Sequence, residues 1–199
     1  MKTEQEAPLV IPGVSEEEFY SQDEDSPWEY LDGELVMEPA SFRHEDLFAF
    51  LITLLRGYLG ERGGAVAMGS RFPMRLDEKW SPEPDLLVVR EERRHLIGPQ
   101  RLEGPADLVI EIVSGAHPEI AHRRKLPRYR EAQVPEIWTI DPFTRSTRVD
   151  ILAADGYDTQ ILTTGRLATA VAPGFWIDVA WLWQEPLPPP LFCLRQILA

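Results

Sequence analysis

The chain has 199 residues, 44% hydrophobic and 27% charged, which suits one ordinary globular domain with length to spare at either end. No run approaches the roughly 18–20 uninterrupted apolar residues of a membrane span, and the acidic, polar Met1–Ala7 lacks the pattern of a secretory signal. The single cysteine, Cys193, excludes an internal disulfide and a cysteine-built zinc site, so a cytoplasmic protein is expected.

A formal net charge of −13 at first speaks against nucleic acid, whose binding rests on Lys and Arg. The charge is unevenly spread, however. Residues 1–46 hold 14 Asp/Glu against 2 Lys/Arg, whereas 47–199 hold 19 against 18. The basic set is itself lopsided, with lysine only at positions 2, 79 and 125.

Residues 1–27 are acidic and poor in apolar periodicity, and read as a partly ordered arm onto which Phe19 and Tyr20 could dock. YLDGELVME, from Tyr30, predicts a turn at Asp32-Gly33 followed by a short strand. The strongest helix spans about 42–61, where Leu47, Leu51, Leu54, Leu55 and Tyr58 recur at helical spacing before Gly63-Gly64 stops it. Strands are predicted near 65–76 and 85–90, joined by the turn-rich DEKWSPEP, with a charged connector to about Gly104. DLVIEIV, 107–113, reads as an almost wholly apolar strand with one glutamate inside it.

A basic helix follows at about 118–132, with Pro127 expected to kink or shorten it. A strand at 136–140 precedes a hairpin, 147–153 and 157–163, turning at Asp155-Gly156. The domain is expected to run over 28–184 and to end in a Pro-rich tail, 185–199, whose preceding aromatic segment could serve a homodimer interface. This order predicts an α/β domain, a mixed central sheet flanked by helices, with an added hairpin and an N-terminal arm.

The chemistry centres on Glu111. Along its strand Asp107, Val109, Glu111 and Val113 share one face, and a lone carboxylate among such residues is costly to bury unless paired or bound to metal. Asp85 opens a second apolar strand, PDLLVV; if the two strands are neighbours, both acids converge at one end of the sheet. With a main-chain carbonyl such as that of Ile112, they make an oxygen-ligand set suited to Mg²⁺ or Mn²⁺. The same residues admit a structural reading, in which Asp85 caps a turn and Glu111 pairs with an arginine of the basic helix.

PEPDLLVV, GPADLVIEIVS and KLPRYREAQVPEIWTIDP, with DGELVMEPAS and His44 before them, resemble in order and spacing the Uma-type restriction endonuclease family of the PD-(D/E)XK superfamily. The resemblance covers about 30–178. It implies a restriction-endonuclease-like fold, divalent metal on Asp85 and Glu111, and DNA as the partner. The superfamily's lysine two residues beyond the glutamate is replaced here by Val113, and the resemblance implies that Lys125, on the next helix, takes its place. Glu34 and His44 match family positions near the catalytic site. Arg123, Arg124, Arg128 and Arg130 could contact flanking phosphates, or form an ordinary charged helix face.

The sequence departs from the pattern at three points. Ala121 stands where many members have Asp; Ser114-Gly115-Ala116-His117 replaces a Ser-Pro-Ser/Thr; and Pro127 sits in the helix that carries Lys125. Glu119 is about 200° round a helix from position 121 and is a poor substitute. These changes leave open a second class of function, a nuclease fold reused as a structural or protein-interaction module.

Overall fold

A computed structural model describes residues 8–23, 26–37, 40–69, 71–114 and 120–199, with backbone only at 121 and 122. Residues 1–7, Gly115–His117 and Glu119 therefore lie outside the described residues.

The N-terminal segment is built into the fold. Strand β1, Leu9–Pro12, leads to Ser15, whose capping box with Glu18 starts the short helix α1, Glu16–Tyr20. Phe19 is buried and stacks on Tyr30 at 5.3 Å between ring centroids. Strands β2, Glu29–Leu31, and β3, Glu34–Met37, form the hairpin expected at Asp32-Gly33. Both turn residues have positive φ, 57° and 75°, the geometry whose twist matches that of the flanking strands. β1 pairs antiparallel with β3, so the acidic arm supplies the edge of a small sheet.

Helix α2, Phe42–Arg62, is capped by Ser41 and stopped at Gly63, and it buries Leu47, Phe50, Leu51, Leu54, Leu55, Tyr58 and Leu59. β4, Ala65–Gly69, is followed by the two-residue strands β5, Met74–Arg75, and β6, Trp80–Ser81, and then by β7, Leu86–Arg90. The charged connector contains a 3₁₀ turn, Glu91–Leu96, and β8, Leu102–Glu103, before β9, Leu108–Ile112.

The basic helix differs from expectation in an instructive way. It begins as a π-helical turn, Ile120–Lys125, and becomes the α-helix α3, Leu126–Glu131, only at the residue before Pro127. Proline therefore lies in the first turn of α3, at the junction with the π turn. Then come β10, Glu136–Asp141, the hairpin β11, Ser146–Ala153, with β12, Gly156–Leu162, and the pair β13, Arg166–Ala168, with β14, Trp176–Asp178. The β11–β12 register opposes Ala153 to Gly156, which moves the turn to Ala154-Asp155, one residue before the predicted place.

The expected C-terminal tail is a helix, α4, Pro190–Leu198, which buries Cys193 and Ile197 against α2. Gly57 makes that contact possible: a Cβ there would meet Leu194 Cδ2 at 2.5 Å. Among the described residues no helix is long and apolar enough to cross a membrane.

The central sheet has six strands in the order β12-β11-β10-β9-β7-β4, so the hairpin extends this sheet. β9 and β10 are parallel and joined through α3, whereas β7 runs antiparallel to β9, which makes the sheet mixed. Alternation along β9 sends Leu108, Ile110 and Ile112 into one core with α2 and Phe175, and Val109 into a second core with Leu126 and Tyr129. Burial on both faces explains why the strand reads as an apolar run.

Candidate active site

The register of β7 against β9 pairs Leu86 with Ile110, Leu87 with Val109 and Val88 with Leu108. One step further brings Asp85 opposite Glu111 at the end of the sheet. Asp85 Oδ2 accepts the Ile112 N–H at 2.6 Å, which ties the start of β7 to the end of β9. Its Oδ1 lies 3.0 Å from Nε2 of His44, in the first turn of α2. Burial disfavours a charged His44, but the hydrogen bond and charge of Asp85, followed by Glu45, outweigh it and take the imidazole up to about 9. The Asp85 carboxylate thus favours the imidazolium form of His44.

Glu111 is only 4% exposed, and Lys125 likewise. Tyr129 donates its hydroxyl to Glu111 Oε1 at 2.6 Å, and Lys125 Nζ lies 3.2 Å from Oε2. The ammonium also lies 2.8 Å from Glu29 of β2 and 3.4 Å from the Glu83 carbonyl, so its three donors all have acceptors. Burial opposes the charge on Lys125, yet Glu111, Glu29 and Asp85 hold it firmly protonated. Burial lifts Glu111 above the ordinary carboxylate range, against the pull of Lys125 and with that of Asp85 and Glu29. Glu83 rises to about 8, through burial first and its neighbour Glu29 second. The excess of acids over cations thus falls on the glutamates, while Lys125 keeps its proton.

The turn that carries Lys125 is fixed from below. Ile120 is buried with Leu31 and Val36 of the small sheet, and Arg124 donates to the Leu31 carbonyl at 3.0 Å and to Glu34 at 2.9 Å. The small sheet, the π turn and the end of the central sheet therefore enclose one cavity of about 450 Å³. Its walls include His44, Asp85, Glu111, Ile112 and Lys125, all singled out from sequence. Glu34 is not on those walls; it anchors Arg124 beside them.

The basic residues of this segment divide. Arg128 is held by Asp77 and Glu131 and lies 4.9 Å over the Trp80 ring. Arg130 pairs with Asp150 and lies 5.1 Å over Tyr157. Arg124 pairs with Glu34, and Arg123 is exposed. Three of the four expected phosphate contacts are thus already engaged within the protein.

Sequence reasoning missed Glu29, Glu83 and Tyr129. Glu29 lies in a hairpin whose pattern shows only a turn and apolar strand residues; nothing local links it to Lys125. Glu83 had a signal in PEPD, where proline on both sides fixes an acid next to Asp85.

Five carboxylates (Glu29, Glu45, Glu83, Asp85 and Glu111) and three basic side chains (His44, Arg71 and Lys125) line the cavity. Among the described residues no three His, Cys, Asp or Glu side chains form a ready cage for a metal. Mg²⁺ needs only one or two carboxylates and keeps most of its water, however. Asp85 and Glu111 each retain lone pairs beyond their present hydrogen bonds. The acid excess and the all-oxygen donors therefore fit a hard divalent cation.

The family model "Uma2", described as "Putative restriction endonuclease", matches residues 16–180. A search of curated proteins finds no match. Among solved structures, a protein from Anabaena variabilis described as "a putative nuclease belonging to DUF820" superposes with a TM-score of 0.71. It is 16% identical, over 85% of this chain and 97% of that one, and so bears on the fold alone. With most of its length matched by the family model, the chain belongs to the Uma2 family.

Proposed function

We propose that this protein is a metal-dependent endonuclease that hydrolyses DNA phosphodiester bonds in the cavity between Asp85, Glu111 and Lys125. The observation that carries this reading is the Lys125 ammonium, buried yet turned to one cavity with two carboxylates on neighbouring strands. A buried, unpaired charge costs about 3–5 kcal/mol, so the residues that hold it there have a strong physical effect.

Asp85, Glu111 and the Ile112 carbonyl would hold Mg²⁺ or Mn²⁺. When bound, such an ion supplies charge neutralisation at the phosphoryl oxygens and acidifies water. The chain's own residues do the rest. Lys125, gripped between Glu29 and Glu111, releases its long 3.4 Å contact to the Glu83 carbonyl and donates that hydrogen bond to the attacking water or to a phosphate oxygen on which charge develops. His44 and the Ile112 N–H hold both oxygens of Asp85 and fix its orientation. Tyr129 does the same for Glu111 from the opposite core.

The test is Mg²⁺-dependent cleavage of plasmid DNA by the wild type against Asp85→Ala and Lys125→Ala. Activity should fall at least 100-fold in both, since a positioned proton donor or acceptor contributes about 10²–10⁴-fold. Equal residual cleavage in all three preparations would end this proposal. Homodimerisation through the aromatic C-terminal region and a cytoplasmic setting belong to the same reading; light scattering tests the former.

One observation favours a second reading, a nuclease fold serving as a protein-interaction module: Arg124, Arg128 and Arg130 are already neutralised by protein carboxylates. Calorimetry with Mn²⁺ separates the two. Heat that Glu111→Ala abolishes supports the enzyme, and its absence at millimolar metal supports the module.

A further inference from the structure

A second, smaller cavity of about 220 Å³ adjoins the first, and Arg71 and Glu83 line both. It is smaller than the roughly 300–1,000 Å³ of a site for a drug-sized molecule, so it suits one ring system.

Its walls are of two kinds. Trp28 and Phe72 are half-buried aromatic rings. Tyr20 is less available, because Arg101 lies 4.4 Å over its ring and its hydroxyl is spent on Ser81. The amides of Gln22 and Gln100 line the same cavity. Gln22 accepts from Ser26 through its oxygen and keeps its NH₂. The Trp28 indole N–H and the Gln100 amide have no hydrogen-bond partner among the described residues. Flat apolar faces combined with spare donors and acceptors match a planar heterocycle with a polar edge.

We propose that this cavity receives one unpaired nucleobase, whose neighbouring phosphate lies in the Asp85–Glu111 cavity. The inference rests on the phosphodiester reading above and narrows it to single-stranded or locally unpaired nucleic acid. A base inside a duplex must first be unstacked and unpaired, and this is cheapest where the strand is already single. A single base on an aromatic face changes affinity by about 10-fold, and stacking is tolerant of base identity, so no sequence preference is required.

The probe is a single-stranded oligonucleotide carrying 2-aminopurine, alongside its fully paired duplex, titrated into the intact chain with EDTA present. The single strand should bind about 10-fold more tightly, with quenching of the 2-aminopurine. Trp28→Ala and Gln100→Ala should each weaken single-strand binding several-fold and leave the duplex unchanged. Gln100 is exposed, so its variant keeps the test valid if Trp28→Ala fails to fold. Equal affinity for the two probes, or an unchanged Gln100→Ala, overturns the base site. Plasmid cleavage without quenching sinks the base site alone, whereas quenching without cleavage under Mg²⁺ or Mn²⁺ sinks the hydrolytic reading alone.

Discussion

Lys125 Nζ lies 2.8 Å from the Glu29 carboxylate, closer than to Glu111 at 3.2 Å, although Glu29 belongs to a different sheet. The ammonium bridges the small sheet and the central sheet, and its position depends on both.

Glu29 is therefore expected to act on the reaction through Lys125. Glu29→Gln keeps an acceptor but loses the charge, and kcat for nucleic-acid cleavage should fall about 10- to 100-fold with little change in KM. Glu29→Asp should recover part of the loss. A purely structural role would instead lower the melting temperature and leave kcat of the folded fraction unchanged.

The arginines should separate by salt dependence. Arg124→Ala, Arg128→Ala and Arg130→Ala remove groups already paired within the protein, so they should lower stability and leave the salt slope of oligonucleotide binding unaltered. Arg123→Ala should reduce that slope by about 1 without affecting melting. A reduced slope in all four variants would mean that the internal pairs open to admit phosphate.

Asp150 should impose an acid limit on stability. It is fully buried, and hydrogen bonds from Arg148, Thr159 and Arg130 overcome the cost of burial and hold its carboxyl below the usual range. A carboxyl depressed in the folded state stabilises above its unfolded value and loses that contribution as pH falls through the folded one. Asp150→Asn should thus cost about 1–3 kcal/mol at pH 7. The gap to wild type should close in acid, read by thermal melts from pH 7 to pH 3. A gap independent of pH would assign the effect to packing.

Cys193 reports on α4. It is the only cysteine, it is buried, and its helix rests on Gly57 through Leu194. Overpacking at such a site costs about 1–3 kcal/mol. Gly57→Val should accelerate thiol labelling by DTNB about 5- to 100-fold as α4 loosens. Unchanged labelling would mean that α4 does not depend on this contact.

Local pattern was enough to read much of this molecule. The spacing of Leu47, Leu51, Leu54 and Tyr58 marks α2, the Asp32-Gly33 pair marks a hairpin, and DLVIEIV marks a strand with one buried acid near its end. These features are fixed within a few residues, by helical period, by turn geometry and by the cost of burying one charge. The sequence also offered Asp85 and Lys125 as companions of Glu111, and the cavity gathers all three. Other features depend on residues far apart in the chain. Glu29 meets Lys125 only because Ile120 and Arg124 dock the π turn on the β2–β3 hairpin. Pro127 reads as a flaw in a helix until the π turn moves the α-helical start to Leu126. The arginines look like a phosphate grip until Glu34, Asp77 and Asp150 arrive from other elements and neutralise them. Charge pairing across a fold follows from which surfaces pack together, and no periodicity along the chain encodes it.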